Sequence, residues 1–305
     1  AQHNVAIGTS PLRDITTGDY NVAIGEQAGR SISTGQKNVH IGRWAGYHTA
    51  TGSSNIGIGS FALQAVTGSN NIAIGESSGD RISSGEHNVV LGSNAGDAIT
   101  TGDDNIAVGQ TAMGNSSAST TGSYNIALGM LAAYNLTTGA NNVILGRTAG
   151  DALTTGSSNV TIGFDAGTSI TTGSENTYVG GYAGRYNTTT GYNVALGFQA
   201  LQGVSGNSTG SSNVALGPQS LEAYTTGSNN TAVGRAAGDA ITTGSNNTII
   251  GYNAAASSAT VSNEITIGNT SVTRFRIPGA GIDNTSAALS GTTPSIDVSA
   301  RDTYT

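Results

Sequence analysis

Side chains able to do covalent or metal chemistry are few and scattered. The imidazoles are His3, His40, His48 and His87, no two of them spaced as in H-E-x-x-H, and cysteine is absent. Zinc-dependent hydrolysis and thiolate chemistry therefore have no residue set. Asp97, Asp151 and Asp239 each follow a glycine in A-G-D-A-[I/L]-T-T-G. They lie in copies of a repeat too far apart to share an ion. The calcium-roll pattern G-G-x-G-x-D is missing, and each turn offers too few oxygens for calcium. The G-x-x-x-G spacings belong to turns and do not form phosphate cradles. No catalytic, cofactor-binding or metal-ligating residue is expected, and no enzymatic activity.

Recognition chemistry remains. Tyr178, Tyr182, Tyr186, Tyr192 and Phe198 fall in one stretch of two repeats. Aromatic faces stack on sugar rings, which gives a candidate glycan surface; packing between chains is the competing reading. His40, Trp44 and Tyr47 form a second set open to the same two readings.

What positions these residues is a repeat. An Asn followed four residues later by Gly recurs fifteen times, at Asn4, Asn21, Asn38, Asn55, Asn71, Asn88, Asn105, Asn125, Asn142, Asn159, Asn176, Asn193, Asn213, Asn230 and Asn247. The step is 17 residues, except one of 16 and two of 20. With Asn as position zero, position one is Val, Ile or Thr and position three is Ile, Leu or Val. Position two is mostly small, as in Ala23, Ala73, Ala107 and Ala195. This alternation predicts a short strand with one buried face. The aliphatics are expected to point inward. The small residues are expected to point out, where a row of alanines would let another chain pack closely.

Position four is Gly throughout (Gly25, Gly42, Gly59, Gly75, Gly92, Gly109, Gly146 and Gly163 among them), which predicts a bend. Position seven is Ala or Ser in most copies. Position eleven is aliphatic in Ile32, Val66, Ile82, Ile99, Leu136, Leu153, Ile170 and Ile241. A Thr-Thr-Gly or Ser-Thr-Gly cluster then turns the chain toward the next Asn. Each unit reads as strand, Gly bend, second short strand and turn. Seventeen residues cannot seal a domain, but they can form one coil of a solenoid stacked at about 4.8 Å on the next. The fold expected is all-β: a parallel β-roll of about fifteen coils over residues 1–259. Stacking would turn Asn21, Asn38, Asn55, Asn71, Asn88, Asn105, Asn142 and Asn159 into a column of amides, each bonded above and below.

Beyond residue 259 the repeat lapses. Ile265, Ile267, Val272, Phe275 and Ile277 suggest a β-rich cap or trimerisation segment over 260–282, ending near Pro278, and 283–305 reads as a polar extended tail. The two 20-residue units carry longer loops at 113–122 and 201–210, a common place for binding insertions in solenoids; tolerated surface variation is the competing reading. The first coil has no cap and is expected to meet more chain or a partner.

Composition narrows the class. The chain has 305 residues, 46 glycines, 10% charged residues and a formal net charge of -7. Regular aliphatic placement argues against disorder. No basic tract invites nucleic acid. No apolar run nears the roughly 18 residues of a membrane helix. No signal peptide is visible, although the chain starts inside a repeat. The lack of cysteine fits either side of a membrane.

N-V-A-I-G, with a small residue three positions after the Gly, resembles the head repeats of trimeric autotransporter adhesins; the T-T-G-S-x-N linkers are also similar to repeats of bacteriophage tail fibres. The likeness spans residues 1 to about 259. It implies a left-handed roll, three identical chains side by side, and attachment to a host-surface glycan or protein. The 17-residue period is longer than expected for the autotransporter heads, and no neck, stalk or anchor pattern follows. SNEITIGNTSVTRFRIPGAG looks like the closing segment after phage-fibre repeats. The function expected is a non-catalytic trimeric fibre on a virion tail, contacting other fibre or baseplate components at its ends. The alternatives are a cell-surface adhesin head and a purely structural extracellular filament. An ice-binding solenoid is disfavoured because its threonines sit in turns, and a β-solenoid lyase because no acids cluster.

Overall fold

In the computed structural model the described residues are 1–273. The expectations for Phe275, Ile277 and Pro278, and for the tail 283–305, lie outside them. Ala1–Thr270 forms one compact unit and Ser271–Thr305 is assigned to a second.

The first unit is a β-solenoid with no helix. Its strands are three residues long and begin one residue after each repeat Asn, from β1 (Val5–Ile7), β2 (Val22–Ile24) and β3 (Val39–Ile41) to β15 (Thr248–Ile250). A sixteenth, β16 (Ile265–Ile267), continues the stack past residue 259. All sixteen form one parallel sheet in chain order. Equivalent residues face each other throughout: Val5↔Val22 and Ile7↔Ile24 at one end, Thr248↔Ile265 and Ile250↔Ile267 at the other. Fifteen steps at about 4.8 Å make the sheet roughly 70 Å long.

Among the described residues each coil has one strand, and parallel bridges outside the strands join Ile99 to Thr120 and Asn187 to Ser208. The second strand expected after the Gly bend is a succession of turns. Its backbone groups still pair with neighbouring coils: Gly29 N–H donates to Ala45 O at 2.8 Å, and Tyr182 N–H to Phe164 O at 2.9 Å. These bonds hold residues such as Gln27 (φ 55°) and Tyr182 (φ 61°) in the left-handed region, at about 1–2 kcal/mol each for an L-residue.

The strand faces are the reverse of those expected. Position two is the buried one: Ala23, Ala73, Ala107 and Ala195 are all fully buried. Positions one and three point outward and stay partly exposed, with burial running intermediate, buried, intermediate in β2, β3 and most others. The cause is the bore of the roll. Its interior must hold positions two, seven, eight and eleven, and the position-eleven aliphatics Ile32, Ile82, Leu136 and Ile170 already fill much of it. A Cβ added to Gly29 would lie 2.9 Å from Ile32 Cδ1 and from Leu12 Cδ2, and 3.6 Å from Ala23 Cβ. Positions two and eight cannot both be large.

Where one of these positions is large, the other is small. Tyr178, His40 and Val90 at position two face Gly184, Gly46 and Gly96 at position eight, and a Cβ at Gly184 would come 2.5 Å from the Tyr178 ring. Conversely, Leu63, Met113, Leu201 and Leu221 at position eight face Gly57, Ala107, Ala195 and Ala215. Coils small at both positions, such as Ala23 with Gly29 and Ala73 with Gly79, take in the Leu12 and Leu63 side chains of the preceding coil.

Candidate functional site

The Asn column is a continuous buried ladder. Asn159 backbone N–H donates to Asn142 Oδ1 at 3.0 Å, and Asn159 Nδ2 donates to Asn142 Oδ1 at 3.1 Å and to Gly173 O at 2.8 Å. Asn21, Asn38, Asn55, Asn71, Asn88, Asn105 and Asn142 repeat the pattern, each receiving a backbone N–H from the next coil on Oδ1 and donating to a turn Gly carbonyl. The amide thereby satisfies turn carbonyls and N–H groups that have no other partner.

The position-four glycines stack just as closely. Gly25, Gly42, Gly59, Gly75, Gly92, Gly109, Gly146 and Gly163 have φ between 125° and 136°. A Cβ at Gly25 would stand 2.6 Å from Gly42 O, and the others meet the next glycine in the same way.

Two further columns join the coils: one of turn threonines, which stacking of the T-T-G clusters predicts, and one of serines, which escaped the sequence reading. Ser at position minus two accepts a backbone N–H from the coil below: Ala140 N–H to Ser157 Oγ and Ser157 N–H to Ser174 Oγ, both at 3.0 Å. Thr at position twelve donates to the carbonyl above, as Thr137 Oγ1 does to Thr154 O at 3.0 Å. The T-T-G and G-S motifs were legible as turns. The serine's part in joining coils was not, because it depends on which atoms meet between coils.

In each 20-residue coil a buried hydroxyl replaces the position-eleven aliphatic: Thr120 Oγ1 donates to Leu136 O at 2.6 Å, and Ser208 Oγ to Tyr224 O at 3.2 Å. The first long loop is tied down by Arg81, whose guanidinium donates to Ala118 O at 2.9 Å and to Ser116 O.

The outer sheet face is an accessible apolar surface. Position one and position three make two parallel aliphatic columns running through every coil, with Ile7, Ile74, Leu196 and Ile250 exposed by 58%, 42%, 41% and 40%. Small or polar residues interrupt neither column, apart from threonine at position one of three coils, Thr177, Thr231 and Thr248. Continuous apolar strips of this length are uncommon on monomers.

The aromatic candidates separate. Tyr178 is fully buried in the roll, contrary to its expected place on the surface; its hydroxyl donates to Asn176 Oδ1 at 3.2 Å. It occupies position two, which faces inward, and burial pushes the phenol up to about 12. Tyr192 is exposed but sits before its strand, away from the other rings. Tyr182 and Phe198 do come together, with centroids 5.7 Å apart and edge to face, and Phe164 lies 5.2 Å from Tyr182 on the other side. Arg185 covers Tyr182 at 4.8 Å and Tyr186 at 5.0 Å and pairs with Asp165 at 3.2 Å. Arg147 covers Phe164 at 5.5 Å. Phe164, Arg147, Arg185 and Asp165 were missed, although polar or small residues fill positions five and six in many other coils.

The second set also divides. Trp44 stacks on Tyr47 at 4.6 Å and meets Phe61 at 6.1 Å, with Arg43 over Phe61. His40 is inside the roll, and neither ring nitrogen has a hydrogen-bond partner. Burial pushes its pKa down to about 4, so it is neutral at pH 7.

Asp97 does not meet Asp151 or Asp239. It pairs with Asp80 on the adjacent coil, whose carboxyl is pushed up to about 8, first by burial and then by its hydrogen bond to Asp97. Among the described residues no three His, Asp or Glu side chains converge as metal ligands.

Compared with family models, curated proteins and solved structures, the chain finds no match.

Proposed function

We propose that the chain is the shaft of a non-catalytic fibre in which three copies lie side by side as left-handed rolls and carry attachment to a host surface, as on a phage tail. The observation that supports this reading is the pair of aliphatic columns on the outer sheet face. The expected packing surface was the alanine row at position two, and that row is inside. The residues that replace it on the outside bury more apolar area per coil, since Val, Ile and Leu contribute about 1.5–3 kcal/mol each when covered. Repeated at every coil, such a strip favours a long, parallel, in-register partner. A second copy of the same chain supplies one with matching period, and closed rotational symmetry leaves no strip uncovered.

Attachment to a surface, the extracellular or virion setting and contact with other fibre components rest on the resemblance of the repeats. Substitution of Leu128 and Leu145, adjacent at position three, by Asp tests the assembly. The double variant is expected to elute as a smaller species with unchanged circular dichroism. An unchanged elution volume and mass by light scattering would remove lateral packing through these columns.

A further inference from the structure

We propose that the ring row Phe164–Tyr182–Phe198, with Arg147 at its end, binds a glycan that bears a carboxylate. This rests on the attachment role above and supplies its ligand class. The three rings occupy three successive coils at centroid steps of 5.2 and 5.7 Å. Gly181 opens the row: it takes position five between Phe164 and Phe198, and a Cβ there would touch the Phe198 ring at 3.5 Å. Phe164 and Phe198 are 40% and 51% exposed. The fold does not require them, since other coils place Ser60, Ser93 or Gln110 at the same position.

The row spans two coil spacings, about 10 Å between its end rings, the length of a short oligosaccharide. Aromatic rings offer apolar faces to the C–H faces of sugars, while sugar hydroxyls stay in water. This row is confined to three coils and flanked by charges, unlike the aliphatic columns that run through every coil. It therefore matches a local ligand better than a partner chain of the same period.

Charge selects the acidic sugar. Arg185 is already engaged by Asp165, which also accepts the Thr148 hydroxyl. Arg147 is exposed, lies over Phe164 at 5.5 Å, and has no carboxylate partner among the described residues. A guanidinium stacked on a ring keeps its in-plane N–H fork free, and that fork fits a carboxylate. With a formal charge of -7 the chain does not collect anions through its overall field, so an acidic ligand must be held by short-range contacts of this kind.

The test is titration calorimetry of the full chain with trigalacturonate, with its methyl ester, and with 3′-sialyllactose, using wild type, Arg147→Gln and Phe198→Ala. Expected is binding of at least one of the two acids, weakened about tenfold or more by Arg147→Gln. Phe198→Ala is expected to abolish it. If trigalacturonate binds, esterification should weaken it comparably; which acid binds identifies a uronate or a sialate source. Silence toward both acids, equal binding of acid and ester, or indifference to both substitutions would overturn the proposal. So would a change in sedimentation for Phe198→Ala, because the row would then be a contact between copies. Sedimentation of the wild type, run in parallel, reports on the fibre reading separately.

Discussion

Asn142 shows what a single repeat residue holds. Its Oδ1 accepts the Asn159 N–H, and its Nδ2 donates to Asn125 Oδ1 and Gly156 O at 3.0 Å each. Asn142→Ala leaves a buried N–H and a buried carbonyl unpaired, which costs about 2–4 kcal/mol. Urea unfolding of the variant against wild type is expected to show a loss of that order, with Asn142→Asp less harmful than Ala only where the carboxylate can accept. His40 makes a second prediction, and the sign follows from its depressed value. At pH 7 it is neutral whether folded or unfolded. Between its ordinary 6.5 and the folded value of about 4 the unfolded chain binds a proton and the roll does not. Stability therefore falls with pH across that window and levels off below it, by about 3 kcal/mol in all. His40→Val, which copies Val90 over Gly96, is expected to remove this part of the acid sensitivity in unfolding curves run at pH 7 and pH 4. Equal pH dependence in both proteins would contradict the buried neutral imidazole.

The coil is the element at which sequence and structure are best compared. Period, strand position, the Asn column and the inward place of position eleven all follow from spacing, because each copy must put equivalent atoms on one line. The facing of the strand did not follow. An aliphatic–small–aliphatic triplet reads as apolar side in, a rule suited to sheets with a thick core. The bore already holds Ile32 or Leu136 and takes one strand side chain, Ala in most coils and Val90 or Ile144 where Gly96 or Gly150 makes room, so the flanking aliphatics turn outward. The same misreading put Tyr178 on the surface. A clue was present: large residues at position two coincide with Gly at position eight, as for Tyr178 with Gly184. That trade gives a prediction at this scale. Gly184→Leu is expected to destabilise by about 3 kcal/mol or more through overpacking against Tyr178. Tyr178→Ala with Gly184→Leu, which reproduces the Ala195 and Leu201 coil, is expected to recover much of that loss in a double-mutant cycle. Additive losses would show that the two positions do not share one space. The ring row at Phe164, Tyr182 and Phe198 was only half legible, since it joins positions five and six of different coils and requires the stacking to be known.

At the scale of the whole molecule, the described residues leave the sheet face of the roll uncovered along about 70 Å. Every internal column is satisfied within the chain: amide on amide, Thr hydroxyl on carbonyl, glycine on glycine. Among the described residues the two aliphatic columns lack such partners, and their length and regularity suit the proposed partner of the same period. Association of this kind would be cooperative along the rod, so local substitutions in one coil should matter less than charges placed in several. Sedimentation equilibrium of the free chain measures the central claim most directly. The expected result is a single species of three times the 30.2 kDa chain mass, unchanged over a wide concentration range. A species that sediments as one chain at micromolar concentration would contradict it.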